Sequence, residues 1–216
     1  MTEKLLAAIA QHYALTEVST GEFARLKANG MTFSVRAFQA ADLGWVSVMT
    51  ATGFFGLMKM DTLIIHPTGL DMPLLSYDRV HAMGNDTLIF ELYDTTLDTA
   101  VLSATAAAKQ DGSVLPDHDL GSHWYDSIKL PESLSKKGKK QHTVPFDVLT
   151  MNYMKAFLSD CAGAAPCDAD AKRDKGSIYV EGLLTHGGPS TDVFKKALGE
   201  EKTALLFRNI LFGTKL

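Results

Sequence analysis

The stretch HPTGLDMPLLSYDRVHAMGNDTLIFELYD, from His66 to Asp94, holds two apolar runs separated by turn residues. The first, PLLSYDRV, opens on Pro73, which sets the residue before it into extended backbone. It alternates imperfectly. Leu74, Ser76 and Asp78 share one side, and Leu75, Tyr77 and Arg79 share the other. The second, DTLIFELYDT, starts beyond Gly84-Asn85 and is rich in strand-forming residues. Carboxylates prefer water, yet Asp78 stands where the pattern reads as core.

Working upstream, MTFSVRAFQA, WVSVMTAT, FFGLMKM and DTLIIHP also read as strands, with turn residues between several of them. Such quick succession predicts an antiparallel sheet, because parallel neighbours need long crossovers. Towards the N-terminus, Thr2 caps a helix with Leu5, Leu6, Ile9 and Tyr13 as its stripe, and GEFARLKA reads as a short helix ending at Asn29-Gly30. Downstream, TAVLSATAAAKQ favours helix, DGSVLPDHDLGSHW is loop-like and SLSKKGKKQH reads as an exposed loop. PFDVLTMNYMKAFLSDCAGA is the strongest helix, with Val148, Met151, Met154 and Phe157 or Leu158 on one face. DADAKRDKG reads as a polar connector and SIYVEGLLT as a strand or the start of a site loop. PSTDVFKKALGEEKTALLFRNILFG gives two helices broken near Gly199. The order is helix, sheet, helices, so the fold class is α+β. One domain spanning residues 1–216 is expected, since neither a repeat nor a long linker is present.

Composition narrows the function classes. At 216 residues and 46% hydrophobic, the chain can bury a core without staples. Its two cysteines, Cys161 and Cys167, match no zinc or redox spacing, which favours a reducing, cytoplasmic setting. MTEKLLAAIAQHY has no signal-peptide pattern, and no run is long enough to span a membrane. A net charge of −4 gives no nucleic-acid footprint.

Asp78 has two readings. It is either an exposed strand-edge carboxylate paired with Arg79 or Lys59, or a carboxyl facing a ligand cavity. In the second case, lost hydration would let it hold and donate a proton near neutral pH.

Thr62–Thr95, TLIIHPTGLDMPLLSYDRVHAMGNDTLIFELYDT, resembles the core of the ferredoxin-dependent bilin reductases. The matching features are Pro67, the D-x-P-x-x-x-x-D segment of Asp71, Pro73 and Asp78, and the acidic FELYD. FKKALGEEKTALLFRNILFG is similar to the family's closing helices. The resemblance implies an α/β/α sandwich with a central antiparallel sheet. It implies a linear tetrapyrrole such as biliverdin lying between that sheet and the C-terminal helices. No flavin or metal is implied: electrons arrive singly from reduced ferredoxin, and the protein supplies protons to a bilin radical. The family's proton-donating aspartate falls on Asp78, which general acid catalysis requires within hydrogen-bond reach of the reacting atom.

The sequence departs from the family at two places. A histidine carried by some members falls on Thr62. Alternation places Thr62, Ile64 and His66 on one face, so His66 is a candidate for the proton relay, or else an ordinary polar strand end. A second acid used by some members falls on Gly188, with Asp192 and His186 nearby but out of register. Its loss leaves open whether two or four electrons are transferred. In HGGPS, Ser190 is expected to cap a helix and Gly188 to let backbone approach a ligand.

Further expectations follow from charge and size. Arg36 and Lys129 are candidates for the bilin propionates. Lys136, Lys137, Lys139 and Lys140 are a solvated loop that would also attract an acidic ferredoxin. Methionines such as Met49, Met58, Met60, Met151 and Met154 fill core gaps or line an adaptable pocket. Asp117, His118, Asp119 and His123 fit no metal-ligand spacing. A monomer is expected. Two rivals stand beside the reductase: a non-catalytic tetrapyrrole-binding protein of the same fold, and a hydrolase or metal enzyme built on His118, His123 and the nearby aspartates.

Overall fold

The computed structural model describes residues 1–215. Seven strands run antiparallel in the order β1-β3-β4-β5-β6-β7-β8, and β2 joins β3 beside β1, giving an eight-stranded sheet. The strands are β1 Leu15–Val18, β2 Arg25–Ala28, β3 Met31–Ala40, β4 Gly44–Gly53, β5 Met58–His66, β6 Leu74–Ala82, β7 Asn85–Tyr93 and β8 Leu134–Lys139. The helices are α1 Thr2–Ala10, α2 Ser103–Asp111, α3 Thr143–Ala162, α4 Ala169–His186, α5 Pro189–Leu198 and α6 Glu200–Leu205, the last running on as a π-helical turn over Leu206–Leu211. The architecture is α+β, an antiparallel sheet covered by helices on both faces.

Period-two alternation divides each strand between two cores. Val46, Val48, Leu63, Leu75, Tyr77, Leu88 and Phe90 pack against α1, α2 and α3. Met49, Ile64, Leu74 and Tyr93 face α4, α5 and the C-terminal segment, where Tyr179, Leu183, Phe194 and Phe207 meet them. Each fully buried large apolar side chain contributes about 1.5–3 kcal/mol, so both helical layers are held strongly.

Several expectations are corrected. GEFARLKA is a short 3₁₀ turn followed by β2, because Phe23, Leu26 and Ala28 bury alternately rather than on one helical stripe. FFGLMKM and DTLIIHP are a turn and a single strand, β5. SLSKKGKKQH contains β8, whose Lys136 bends inward to Asp117 at 2.6 Å and to the Leu115 carbonyl at 3.1 Å. DADAKRDKG and SIYVEGLLT together form α4. On α3 the buried face is Phe146, Leu149, Tyr153, Met154 and Phe157, and Val148 is exposed.

Two sets of polar contacts fix α4 and the C-terminal segment on the sheet. Lys172, wholly buried on α4, donates to the carbonyls of Met72 and Thr95, each at 2.6 Å, with the Asp71 carboxylate 3.5 Å away. Asp71 also accepts the backbone N–H groups of Leu97 and Asp98. Close by, three side chains of the sheet reach up to the C-terminal segment. Trp45 Nε1 donates to Ile210 O at 2.8 Å, Ser47 Oγ to Leu211 O at 2.7 Å, and His66 Nδ1 to Phe212 O at 2.9 Å. They satisfy carbonyls that a helix end leaves unpaired.

Candidate active site

Between the sheet and the C-terminal helices lies a cavity of about 240 Å³, and the atom-free space between its walls, taken out to its open mouth, is about 980 Å³. Its floor is one row of cross-strand partners. Met49 on β4 opposes Thr62 on β5, Thr62 opposes Asp78 on β6, and Asp78 opposes Ile89 on β7. Its ceiling is Leu183 of α4 with Phe207, Leu211 and Phe212. Tyr93, Tyr125 and Tyr179 close one side, with Tyr93 and Tyr179 stacked at 4.2 Å and Tyr93 edge-on to Tyr125 at 5.5 Å. The lining is mostly apolar with few polar groups, as ligand pockets usually are.

Asp78 lies on this wall, half-buried. Thr62 Oγ1 donates to its Oδ1 at 2.5 Å. Burial pushes the carboxyl up from its usual range to about 6; the Thr62 bond opposes this, and the negative charge of Glu91 adds to it. A carboxyl so placed holds its proton to higher pH than a solvated aspartate, and the Thr62 bond favours the anion. Arg79 is no partner for it. Alternation turns Arg79 to the opposite face, where it pairs with buried Asp86 at 2.5 and 2.7 Å and lies over the Phe146 ring.

The other candidates divide clearly. Thr62, Ile64, Gly188 and Ser190 line the cavity. His66 shares their strand face but lies outside the lining, buried against α4. A Cβ on Gly176 would come within 2.3 Å of its Nε2, and burial lowers its pKa to about 4. The ring is neutral and serves to hold Phe212. Arg36 also lies outside the cavity: next to inward-facing Val35, it turns towards α1 and binds Glu17 and Glu3. Lys129 sits just beyond the wall, bonded to Asp126 at 2.8 Å and lining a neighbouring cavity. Ser190 makes no capping bond; Gly188 holds the capping position of α5. Asp192 reaches back towards Gly187, and His186 packs on Trp124.

The geometry adds wall residues that the sequence reading did not select. Glu91 and Tyr93 follow Ile89 on β7 by alternation, and Tyr125 and Tyr179 come from elements with no visible site pattern. His123 lines the cavity with its ring stacked on Tyr125, whereas His118 lines the neighbouring one. Among the described residues no group of three or more His, Cys, Asp or Glu side chains is arranged to hold a metal ion. Nor is any described helix long and apolar enough to cross a membrane.

The arrangement has a structural parallel. The fold resembles that of tomato phytochromobilin synthase, solved in complex with biliverdin. The superposition has a TM-score of 0.78, covering 99% of this chain and 82% of the synthase chain. Identity to the synthase is 14%, so the likeness is one of fold. No protein-family model matches the sequence, and no curated protein sequence matches it either.

Proposed function

We propose that the protein binds a linear tetrapyrrole, biliverdin or a close relative, in the cavity under the C-terminal helices and reduces it with electrons from ferredoxin. The observation that carries this reading is Asp78: a half-buried carboxyl, protonatable near pH 6, on the wall of a largely apolar cavity. Support comes from the likeness of fold to a phytochromobilin synthase solved with biliverdin, and from the resemblance of Thr62–Thr95 to bilin reductases. The tyrosine rings offer flat faces for a conjugated pigment, and Met49 and Met60 can adapt to its bends. Each reduction takes two electrons and two protons. Asp78 gives one proton to the pigment once an electron has arrived, and the Thr62 hydroxyl steadies the resulting carboxylate; water at the cavity's open mouth supplies the second proton and reprotonates Asp78. The protein brings no redox group of its own. Exposed Lys137, Lys139 and Lys140 would steer the acidic electron carrier.

An anaerobic titration with biliverdin, followed by reduced ferredoxin and its reductase, tests the proposal through the visible spectrum. Wild-type protein should shift the pigment's absorbance on binding and again on reduction. Asp78→Asn should bind equally well and lose at least about 100-fold in rate. Binding with no second spectral change would favour a non-catalytic tetrapyrrole carrier, the reading that Thr62 and Gly188 motivate by standing where some bilin reductases carry a histidine and an acid.

A further inference from the structure

The cavity wall carries a second carboxyl that the reaction above leaves unused. Glu91 on β7 stands opposite Ser76 and is one diagonal step from Asp78 on the same face. It is 9% exposed, and its two oxygens are treated differently. Oε2 accepts the Tyr93 hydroxyl at 2.6 Å. Oε1 is buried with no hydrogen-bond partner, and the Lys129 ammonium lies 3.7 Å away, too far for a hydrogen bond. A buried carboxylate oxygen without a donor is costly, so its persistence needs a reason. His123 Nδ1, on the wall of the same cavity, is also buried and partnerless. Glu91 also borders a second cavity of about 230 Å³ that holds Lys129, His118 and Ser135, so its ion-pair partner is kept outside the apolar one.

We infer that Glu91 is a substrate-holding residue, its free oxygen accepting a pyrrole or lactam N–H of the bound tetrapyrrole and so fixing which ring lies over Asp78. A carboxylate can only accept, so the occupant must bring a polar hydrogen. A linear tetrapyrrole presents several along one edge, whereas a fatty acid, equally at home in an apolar cavity, presents none and adds a repelling charge. The inference rests on the bilin reading and deepens it. Glu91 has a second effect, since its charge helps keep the proton on Asp78. The groups facing this pair are Thr62 from β5, Tyr93 from β7, His123, Tyr125 and Lys129 from the segment before β8, and Tyr179 from α4. Asp126 holds Lys129 in place.

The test is Glu91→Gln, which keeps the shape and an acceptor for Tyr93 but removes the charge. In biliverdin titrations read by absorbance at pH 7, its Kd should rise about tenfold. In single-turnover reduction, the alkaline fall in rate should move to lower pH, because Asp78 gives up its proton more readily. Glu91→Asp keeps the charge and shortens the reach. It should bind several-fold more weakly with the pH profile unmoved, and it carries the test if the glutamine variant fails to fold. Wild-type protein that binds no biliverdin would sink the bilin reading itself. Wild-type protein that binds and reduces it, with Glu91→Gln matching it in Kd and pH profile, would overturn the role of Glu91 alone. Wild-type Kd in Glu91→Asp would overturn it equally.

Discussion

Asp78 holds its proton to higher pH than an exposed aspartate because water has been removed from around it, and the same removal costs the fold stability once the carboxyl ionises. A carboxyl that titrates at about 6 when folded and near 3.8 when unfolded releases its proton earlier in the unfolded chain. Unfolding therefore releases protons between about pH 4 and 6, and stability falls as pH rises through that window. The full difference corresponds to at most about 3 kcal/mol, and water entering the cavity mouth reduces it to about 1–2 kcal/mol. Asp78→Asn should thus melt about 2–8 °C above wild type at pH 7, with the gap closing below about pH 4. Equal melting temperatures at pH 7 would contradict the burial argument. Thr62→Val removes the hydroxyl that favours the anion. The alkaline limb of the rate profile should then move to higher pH, opposite to the shift expected for Glu91→Gln. Asp78 was legible because a charge in a core-patterned strand is an anomaly. Glu91 breaks the apolar run of β7 between Phe90 and Leu92 in the same way, and the sequence reading counted it only within the acidic FELYD stretch. Arg36 was misplaced because the face of a strand residue depends on register, and its neighbour Val35 turned out to be the inward one.

At the scale of elements, α4 makes the floor and the ceiling of the cavity meet. Its buried stripe is Lys172, Gly176, Tyr179, Val180 and Leu183. The first two are a charged residue and a glycine, so the apolar period that would announce a helix is missing from its first half. That is why the segment read as a polar connector followed by a strand. β8 was hidden in a similar way: lysines usually mark a solvated loop, but they also suit a sheet edge that must not attract further strands. The inner strands were readable because alternation there is strong. Two substitutions probe the packing of α4. Gly176→Ala forces a methyl group against His66 and should cost about 1–3 kcal/mol in urea denaturation. Lys172→Met leaves the Met72 and Thr95 carbonyls without their donor and should cost about 2–4 kcal/mol. A wild-type midpoint in either variant would mean that α4 is held by its lower half alone.

Across the whole molecule, the sheet is rigid by pairing, and the C-terminal segment is held to it by a few directed bonds. Occupying the space between them should favour the folded state by mass action. Biliverdin at a hundred times its Kd should add about 2.7 kcal/mol and raise the melting temperature by about 5–11 °C, as differential scanning fluorimetry would register. An unchanged melt at saturating pigment would mean that the folded protein does not bind the pigment preferentially. The α+β class and the antiparallel pairing of the inner strands were visible in the sequence, because they follow from alternation and turns. The cavity was not, since it depends on where two layers fail to touch. The contacts from Trp45, Ser47 and His66 to residues 210–212 also set a sequence in time. Every strand precedes in the chain the residues that roof the sheet, so during synthesis this apolar face is made before its cover.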